Sequence, residues 1–426
     1  MLKSEAARPL RSKRGRRSAF NYPAWNAILL DRQAATPLYE QIFAQIRAAA
    51  LEHRLQRGSR LPPSRRLAEE LNVSRATIVL AYDKLASEGY INRRAGSGAY
   101  LEAVLPEDHF PSPGRASEPQ QPLPRGPSRR GAKLGRLDLP PERRDRLTLS
   151  PGIPALSEFP YDVFAQIAHR RWRDHEAAHT GFDYAHGALE LRRQIAAYLA
   201  EARGLLCQPE QVIVVGSTVQ AASLVAYSLL DRGDVVLTED PCHLLQSAMF
   251  EAWGLDVRAL ALDADGLDIA AVDISGLHAR LAVVTPVGQF PFGSTMTPKR
   301  RAALLEWARS GGGWIFEDDF NSEIRWAGRG DPPLAAADPA HVLYASSLNR
   351  ALAPGLRLAY LVAPLDLVEV LSVAQRTFSL YAPLPDQAIV AEFMAQGRLA
   401  SHLRRMRGVY RERAAALAET LRAKLE

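Results

Sequence analysis

The stretch Ser64-Arg65-Arg66-Leu67-Ala68-Glu69-Glu70-Leu71-Asn72-Val73-Ser74-Arg75-Ala76-Thr77-Ile78-Val79-Leu80-Ala81-Tyr82-Asp83-Lys84-Leu85-Ala86-Ser87 decides the reading of this chain. It holds two helical patterns separated by a tight break. Ser64 is placed to cap a helix that ends near Leu71, and Asn72-Val73 makes the turn. Ser74 caps a second helix over Arg75–Ser87, and Ile78, Ala81, Tyr82 and Leu85 form its apolar face. Two helices on a short turn, the second opening Ser-Arg-Ala-Thr, have the logic of a helix-turn-helix. In that geometry the first turn of the second helix faces a groove. Short hydroxyls and Arg there reach base edges or phosphates.

The flanks extend the unit. Upstream, Ile42, Phe43, Ile46 and Ala49–Leu51 give Tyr39–His53 the period of an amphipathic helix. Downstream, Arg93-Arg94-Ala95-Gly96-Ser97-Gly98-Ala99-Tyr100 reads as a hairpin with a Gly-rich tip and basic flanks, which is a wing suited to a minor groove. Thr36-Pro37-Leu38-Tyr39, Leu61-Pro62, Val73–Thr77, Leu85–Gly89 and Gly96-Ser97-Gly98 together resemble the GntR-type winged helix-turn-helix. The resemblance implies DNA contacts from Arg65, Ser74, Arg75, Thr77 and the wing around Gly96. It also implies a dimer reading a repeated or palindromic double-stranded operator.

Totals bound the rest. The 426 residues predict two or three domains, and 47% are hydrophobic, enough for large cores. A net charge of +6 agrees with a nucleic-acid partner without requiring one. Residues 1–20 hold seven Lys or Arg against Glu5 alone, either a solvated tail or an additional source of phosphate contacts. Two cysteines, Cys207 and Cys242, make neither a disulfide framework nor a metal site. No run of 18 apolar residues predicts a membrane span, and the basic N-terminus lacks an apolar signal core, so a cytoplasmic protein is expected. The expected organisation is a basic tail over 1–35, the DNA-binding unit over 36–102, a linker over 103–150 and a second domain over 151–426. The linker holds nine prolines in 48 residues and too few large apolar side chains to fold alone.

From Pro151 onward helical patterns (Leu189–Ala202, Ala221–Leu230, Arg300–Ser310) alternate with short apolar runs (Val212–Val215, Val235–Leu237, Leu281–Val284, Trp314–Phe316, Leu358–Val362). That alternation predicts an α/β domain with a mainly parallel sheet covered on both faces. Pro151-Gly152-Ile153-Pro154, Tyr184–Arg192, Gly216-Ser217-Thr218, Glu239-Asp240-Pro241, Thr285-Pro286, Glu317-Asp318-Asp319 and Leu352–Arg357 together resemble the fold-type I, aspartate-aminotransferase-like domain. A GntR-type head fused to that domain is the layout of the MocR subfamily of regulators. The resemblance implies a site for pyridoxal phosphate. Gly216-Ser217-Thr218 would form part of the phosphate cup, Ser347 and Arg357 match further phosphate ligands, and Asp318 matches the aspartate that pairs with the ring nitrogen. His243 lies where the family places a stacking aromatic.

Three positions depart from that pattern. The family lysine aligns with Arg350, whose guanidinium stays protonated and forms no imine. The tyrosine expected after the paired aspartates is Phe320. Gly288 stands where the family commonly has His. Covalent attachment is therefore not expected. The pocket would hold the cofactor without a bond, or another small anionic effector with Arg350 as counter-charge, or be a decayed pocket that serves structure alone. The resemblance also implies several dozen further residues beyond Glu426, including an Arg for a substrate carboxylate. The leading reading is a regulator whose inactive aminotransferase-like domain serves dimerisation and sensing. The alternatives are a working aminotransferase and an architectural DNA binder without an effector.

Overall fold

The computed structural model describes residues 28–94, 97–109, 126–137, 152–174, 186–271, 276–311, 313–325, 330–378 and 381–425. The chain divides into two compact units, 1–125 and 126–426.

The first unit contains α1 (Leu38–Leu51), α2 (Ser64–Leu71), α3 (Arg75–Ser87), β1 (Ile91–Arg94) and β2 (Gly98–Leu101). The apolar period of α1 buries Ile42, Phe43, Ile46, Ala49 and Ala50, and that of α3 buries Ile78, Ala81, Tyr82 and Leu85. These pack with Leu61, Leu67 and Leu101 into one core. Ser74 caps α3 by accepting the Thr77 N–H at 3.1 Å. The cap expected from Ser64 is not made. Pro63 occupies the N-cap position of α2 and Ser64 is its first helical residue. The proline ring fixes φ at the entrance, and the Ser64 hydroxyl accepts from Arg75 Nε at 3.4 Å instead. Asn72 ends α2 with φ 50° and ψ 51°, a left-handed conformation that Asn tolerates better than most side chains. β1 and β2 pair antiparallel from Ile91↔Leu101 to Arg94↔Gly98.

The second unit opens with α4 (Arg129–Leu134), a short helix inside the Pro-rich stretch that rests against the helix Leu244–Trp253, with Arg130 Nη1 donating to the Ala252 carbonyl at 3.2 Å. There follow α5 (Tyr161–Arg173), α6 (Leu189–Tyr198), β3 (Val212–Val215), α7 (Thr218–Leu229), β4 (Val235–Asp240), α8 (Leu244–Trp253), β5 (Asp256–Asp263), β6 (Gly266–Leu267) and β7 (Leu281–Val284). Then come α9 (Pro298–Gly311), β8 (Trp314–Asp319), α10 (Leu334–Ala337), β9 (Val342–Ser347), α11 (Leu348–Ala351), β10 (Ala359–Val362), α12 (Leu365–Thr377), α13 (Leu384–Ala395) and α14 (Arg398–Leu425).

Eight strands form one sheet in the order β3-β10-β9-β8-β7-β4-β5-β6. β4, β5, β7, β8 and β9 run parallel, while β10 is antiparallel to both its neighbours and β6 to β5. The mainly parallel α/β sheet agrees with the alternation in sequence. The sequence reading did not name β5, β6 or β9, although β5 holds Ala259–Leu262 and β9 opens Val342-Leu343-Tyr344-Ala345. Each strand alternates between two cores. Ile315 and Tyr344 join the face covered by α5, α6, α9 and α13, whereas Phe316 and Leu343 join the face covered by α7, α8 and α12. No helix among the described residues is long and apolar enough to cross a membrane.

Candidate functional site

The first unit gathers its DNA-facing candidates at two helix starts. Arg65 lies in the first turn of α2, and Ser74, Arg75 and Thr77 open α3. The Arg75–Ser64 contact draws the two starts together. Arg65 and Arg75 are exposed, so both guanidinium groups can reach a phosphate. Ser74 and Thr77 share a hydroxyl contact of 2.8 Å, so part of their hydrogen-bonding capacity serves the cap. Gly96 lies outside the described residues. The strands that carry the wing are described. Arg94 stacks over Tyr100 at 4.8 Å, and Arg93 pairs with Asp83 of α3 at 2.6 Å. Arg60 escaped the sequence reading. Its Nε lies 3.0 Å from where a Cβ on Gly98 would sit, which adds a cation at the wing's base, and nothing in its local sequence marks it.

In the second unit, Ser217, Thr218, His243, Asp318, Ser347, Arg350 and Arg357 all line one cavity of about 730 Å³. Topology explains the convergence. Gly216–Thr218 follow β3, His243 follows β4, Asp318 is the penultimate residue of β8 and Ser347 ends β9, so the carboxyl ends of separate strands meet where ligands bind in open α/β sheets. Ser217 caps α7 through Gln220 N at 3.1 Å, and Ser347 accepts the Asn349 N–H at 3.1 Å. Asn349, unremarked in the sequence, links the cavity floor: its Nδ2 donates to the Gly216 carbonyl at 3.1 Å and its Oδ1 accepts the Leu358 N–H at 2.7 Å.

Asp318 is buried, with 6% of its surface exposed. Its Oδ2 accepts from Thr218 Oγ1 at 3.2 Å and from Gln246 Nε2 at 3.5 Å, while its Oδ1 is buried without a partner. Burial pushes this carboxyl up to about 7; the Asp319 charge adds to the rise, and the Thr218 and Gln246 hydrogen bonds and Arg350 oppose it. Glu239, also lining the cavity, is likewise pushed up to about 7 by burial, although Thr285 N and Gln289 Nε2 donate to it. Asp318 lines the cavity and its Oδ1 has no donor among the described residues, a need that a ring N–H would satisfy, so the residues present fit a pyridoxal phosphate ring at this end.

Arg350 occupies the other side. Its guanidinium stacks over Phe320 at 4.9 Å and donates from Nη1 to Asn321 Oδ1 at 3.2 Å. Burial lowers its pKa, opposed by Tyr410 and Asp318. Gly152 approaches so closely that a Cβ there would lie 2.9 Å from Arg350 Nη2. Gly288 has φ +66°, and a Cβ would meet Asn321 Nδ2 at 3.2 Å. Phe320, Asn321, Gly152 and Gly288 thus shape the seat of this arginine, and sequence reading named neither Asn321 nor the approach of Gly152. His243 precedes α8, with its ring 6.1 Å from Phe290; burial, then the Arg350 charge, lowers its pKa and favours neutral imidazole. Arg357 holds a left-handed φ of 51°, and its guanidinium has no acceptor among the described residues.

Comparison with known proteins agrees with both units. Residues 38–101 match the family described as bacterial regulatory proteins, gntR family, and residues 156–426 match aminotransferase class I and II. A rhizopine catabolism regulatory protein, MocR, of Rhizobium meliloti is 36% identical over 91% of this chain and 77% of its own length. The pyridoxine biosynthesis transcriptional regulator PdxR of Corynebacterium glutamicum is 30% identical over 92% and 81%. Among solved structures, the α-aminoadipate aminotransferase LysN of Thermus thermophilus, complexed with N-(5'-phosphopyridoxyl)-L-leucine, superposes with a TM-score of 0.60 at 27% identity, covering 65% of this chain and 71% of that one. With a winged helix-turn-helix head, a fold-type I domain and full-length relatives of the same architecture, the chain belongs to the MocR-type transcription regulators of the GntR family.

Proposed function

We propose that this regulator binds operator DNA as a homodimer through Arg65, Ser74, Arg75, Thr77 and its wing, and that its aminotransferase-like domain senses a small anionic effector without catalysing transamination. The observation that carries the sensing role is Asp318 Oδ1. It is a buried, unpartnered acceptor in the same cavity as Arg350 and the unpaired Arg357. A ligand with an N–H at one end and a phosphate at the other answers both needs, and pyridoxal phosphate is the leading candidate.

Bound there, pyridoxal phosphate would supply an electron-poor ring and a dianionic phosphate. Asp318 would hold the proton at the ring nitrogen. Ser217, Thr218, Ser347 and Arg357 would hold the phosphate, and Arg350 would balance charge where a lysine would otherwise form a bond. A guanidinium on Phe320 and Asn321 lacks a free amine lone pair, which argues against an enzyme. Ligand binding changes the operator complex only to the extent that it favours one arrangement of the heads over another.

The test is a pyridoxal phosphate titration followed by visible absorbance, with borohydride treatment of the saturated protein. The expected result is reversible binding with no cofactor fixed to the chain, and fixation appearing in Arg350→Lys. Fixation in the unaltered chain would overturn the non-covalent reading. Absence of any absorbance change would move the effector assignment to another anionic metabolite.

A further inference from the structure

A second cavity, of about 440 Å³, lies on the opposite face of the sheet from the Asp318 pocket. Strand alternation sends Asp319 to that side, where Arg203 Nη2 and the Tyr344 hydroxyl each donate to its Oδ2 at 2.7 Å. The cavity is lined by Arg203 from the turn after α6, by Arg325 from the loop after β8, and by Arg404, Arg407 and Arg411, which share one face of α14. Among the described residues, Glu323 is the one acid lining it. Burial, then the Asp319 charge, raises the pKa of that carboxyl, which weakens its charge as a partner for the arginines.

Protein acceptors do not satisfy this set. Arg407 Nε donates to the Glu323 carbonyl and Arg404 Nη2 to the Ser401 hydroxyl, while Arg325 and Arg411 have no acceptor among the described residues. Among the described residues, Arg203 Nε, Arg325 Nη1 and the Ser322 hydroxyl are buried without partners, and the Arg203 side chain is only 9% exposed. Arg325 Nη1 and Arg203 Nη1 lie 3.0 and 3.6 Å from the one point where a Cβ on Gly330 would sit. Two guanidinium groups therefore converge beside a wall of further arginines. Buried donors of like charge are costly unless an anion joins them.

We propose that this cavity is a second anion site, which takes a compact molecule with two phosphate or carboxylate groups. Arg203 and Arg325, with their buried donors, would hold one group and the exposed pair Arg404 and Arg411 the other. A walled cavity with buried donors suits a small molecule better than a duplex. Asp319 links the two cavities: it is the counter-ion of Arg203, and its charge raises the pKa of Asp318 on the opposite face.

The experiment is a calorimetric titration of the full chain with inorganic pyrophosphate at fixed ionic strength, repeated with citrate. It compares the unaltered chain, the double variant Arg404→Ala/Arg411→Ala and the single variant Arg350→Ala. Both altered arginines of the double variant are exposed, and circular dichroism checks that it folds. The proposal expects a saturable site weakened tenfold or more in the double variant and retained in Arg350→Ala; which probe binds more tightly separates phosphate from carboxylate. The absence of a saturable site, equal affinity in the double variant, or loss in Arg350→Ala alone would overturn it. So would a double variant that loses affinity for non-specific DNA while its pyrophosphate site is intact. A failed pyridoxal phosphate titration leaves this result unaffected, since Arg350→Ala reports on the other cavity.

Discussion

Replacing Asp318 by Asn should stabilise the ligand-free protein and weaken its ligand, and both effects can be sized. The carboxyl moves from 3.8 to about 7 on folding, chiefly through burial. At 1.36 kcal/mol for each tenfold change, ionising it in place costs on the order of 4 kcal/mol. A neutral amide avoids that cost but must find acceptors in the Thr218 hydroxyl and Gln246, which takes back about 1 kcal/mol. The net gain at pH 8 is therefore about 2–3 kcal/mol, or a rise in melting temperature of roughly 5–10 °C for a domain of this size. The sign with pH follows from a folded value above the unfolded one. The penalty is absent below about 3.8, grows through the window up to about 7, and is complete above it. The advantage of Asn should shrink by roughly 2.5–3 kcal/mol on going from pH 8 to pH 5. Binding of a ligand N–H moves the other way. A neutral acceptor in place of a carboxylate costs about 1–1.5 kcal/mol, so pyridoxal phosphate should bind roughly 5–10-fold more weakly. Scanning calorimetry across pH, with a parallel titration, reads both. An Asp318→Asn protein less stable at pH 8, or one whose advantage grows on acidification, would refute the reasoning, because Asp318 would then be a satisfied carboxylate.

Arg75→Ala should weaken operator binding by about tenfold or more, with the same oligomeric state in sedimentation; unchanged affinity in a gel-shift titration would remove Arg75 from the interface. Ser74→Ala deletes the cap on α3 and should cost about 1 kcal/mol of the DNA-binding unit's stability, measurable by urea denaturation. A loss of DNA affinity in Ser74→Ala beyond what partial unfolding explains would show that the hydroxyl also contacts DNA.

Some of the candidate site was legible residue by residue and some was not. The seven pocket positions named from sequence converge on one cavity because they lie at strand ends or in the short segments next to them, and those can be placed by motif order. Asn321 and Asn349 were not legible. Each earns its place through a partner far away in the chain, Arg350 for one and Gly216 and Leu358 for the other. The Ser64 cap failed for a local reason, since Pro63 already fixes the entrance of α2.

The sequence alone determined what depends on near neighbours. The helix-turn-helix over 64–87 rests on helical periodicity, on the Ser74–Thr77 cap and on an Asn that tolerates the left-handed turn, all contacts within a few residues. It also determined that position 350 carries a guanidinium and not an amine. Tertiary structure decided the rest. Inserting β10 between β3 and β9 brings Ser217, Ser347 and Arg357 to one cavity, and spacing along the chain carries no record of that insertion. The two-residue period of β8 sends adjacent aspartates to opposite faces, one to an empty acceptor position and the other to Arg203. The arginines of the second cavity come from three distant segments, and only the packed sheet and α14 make them neighbours.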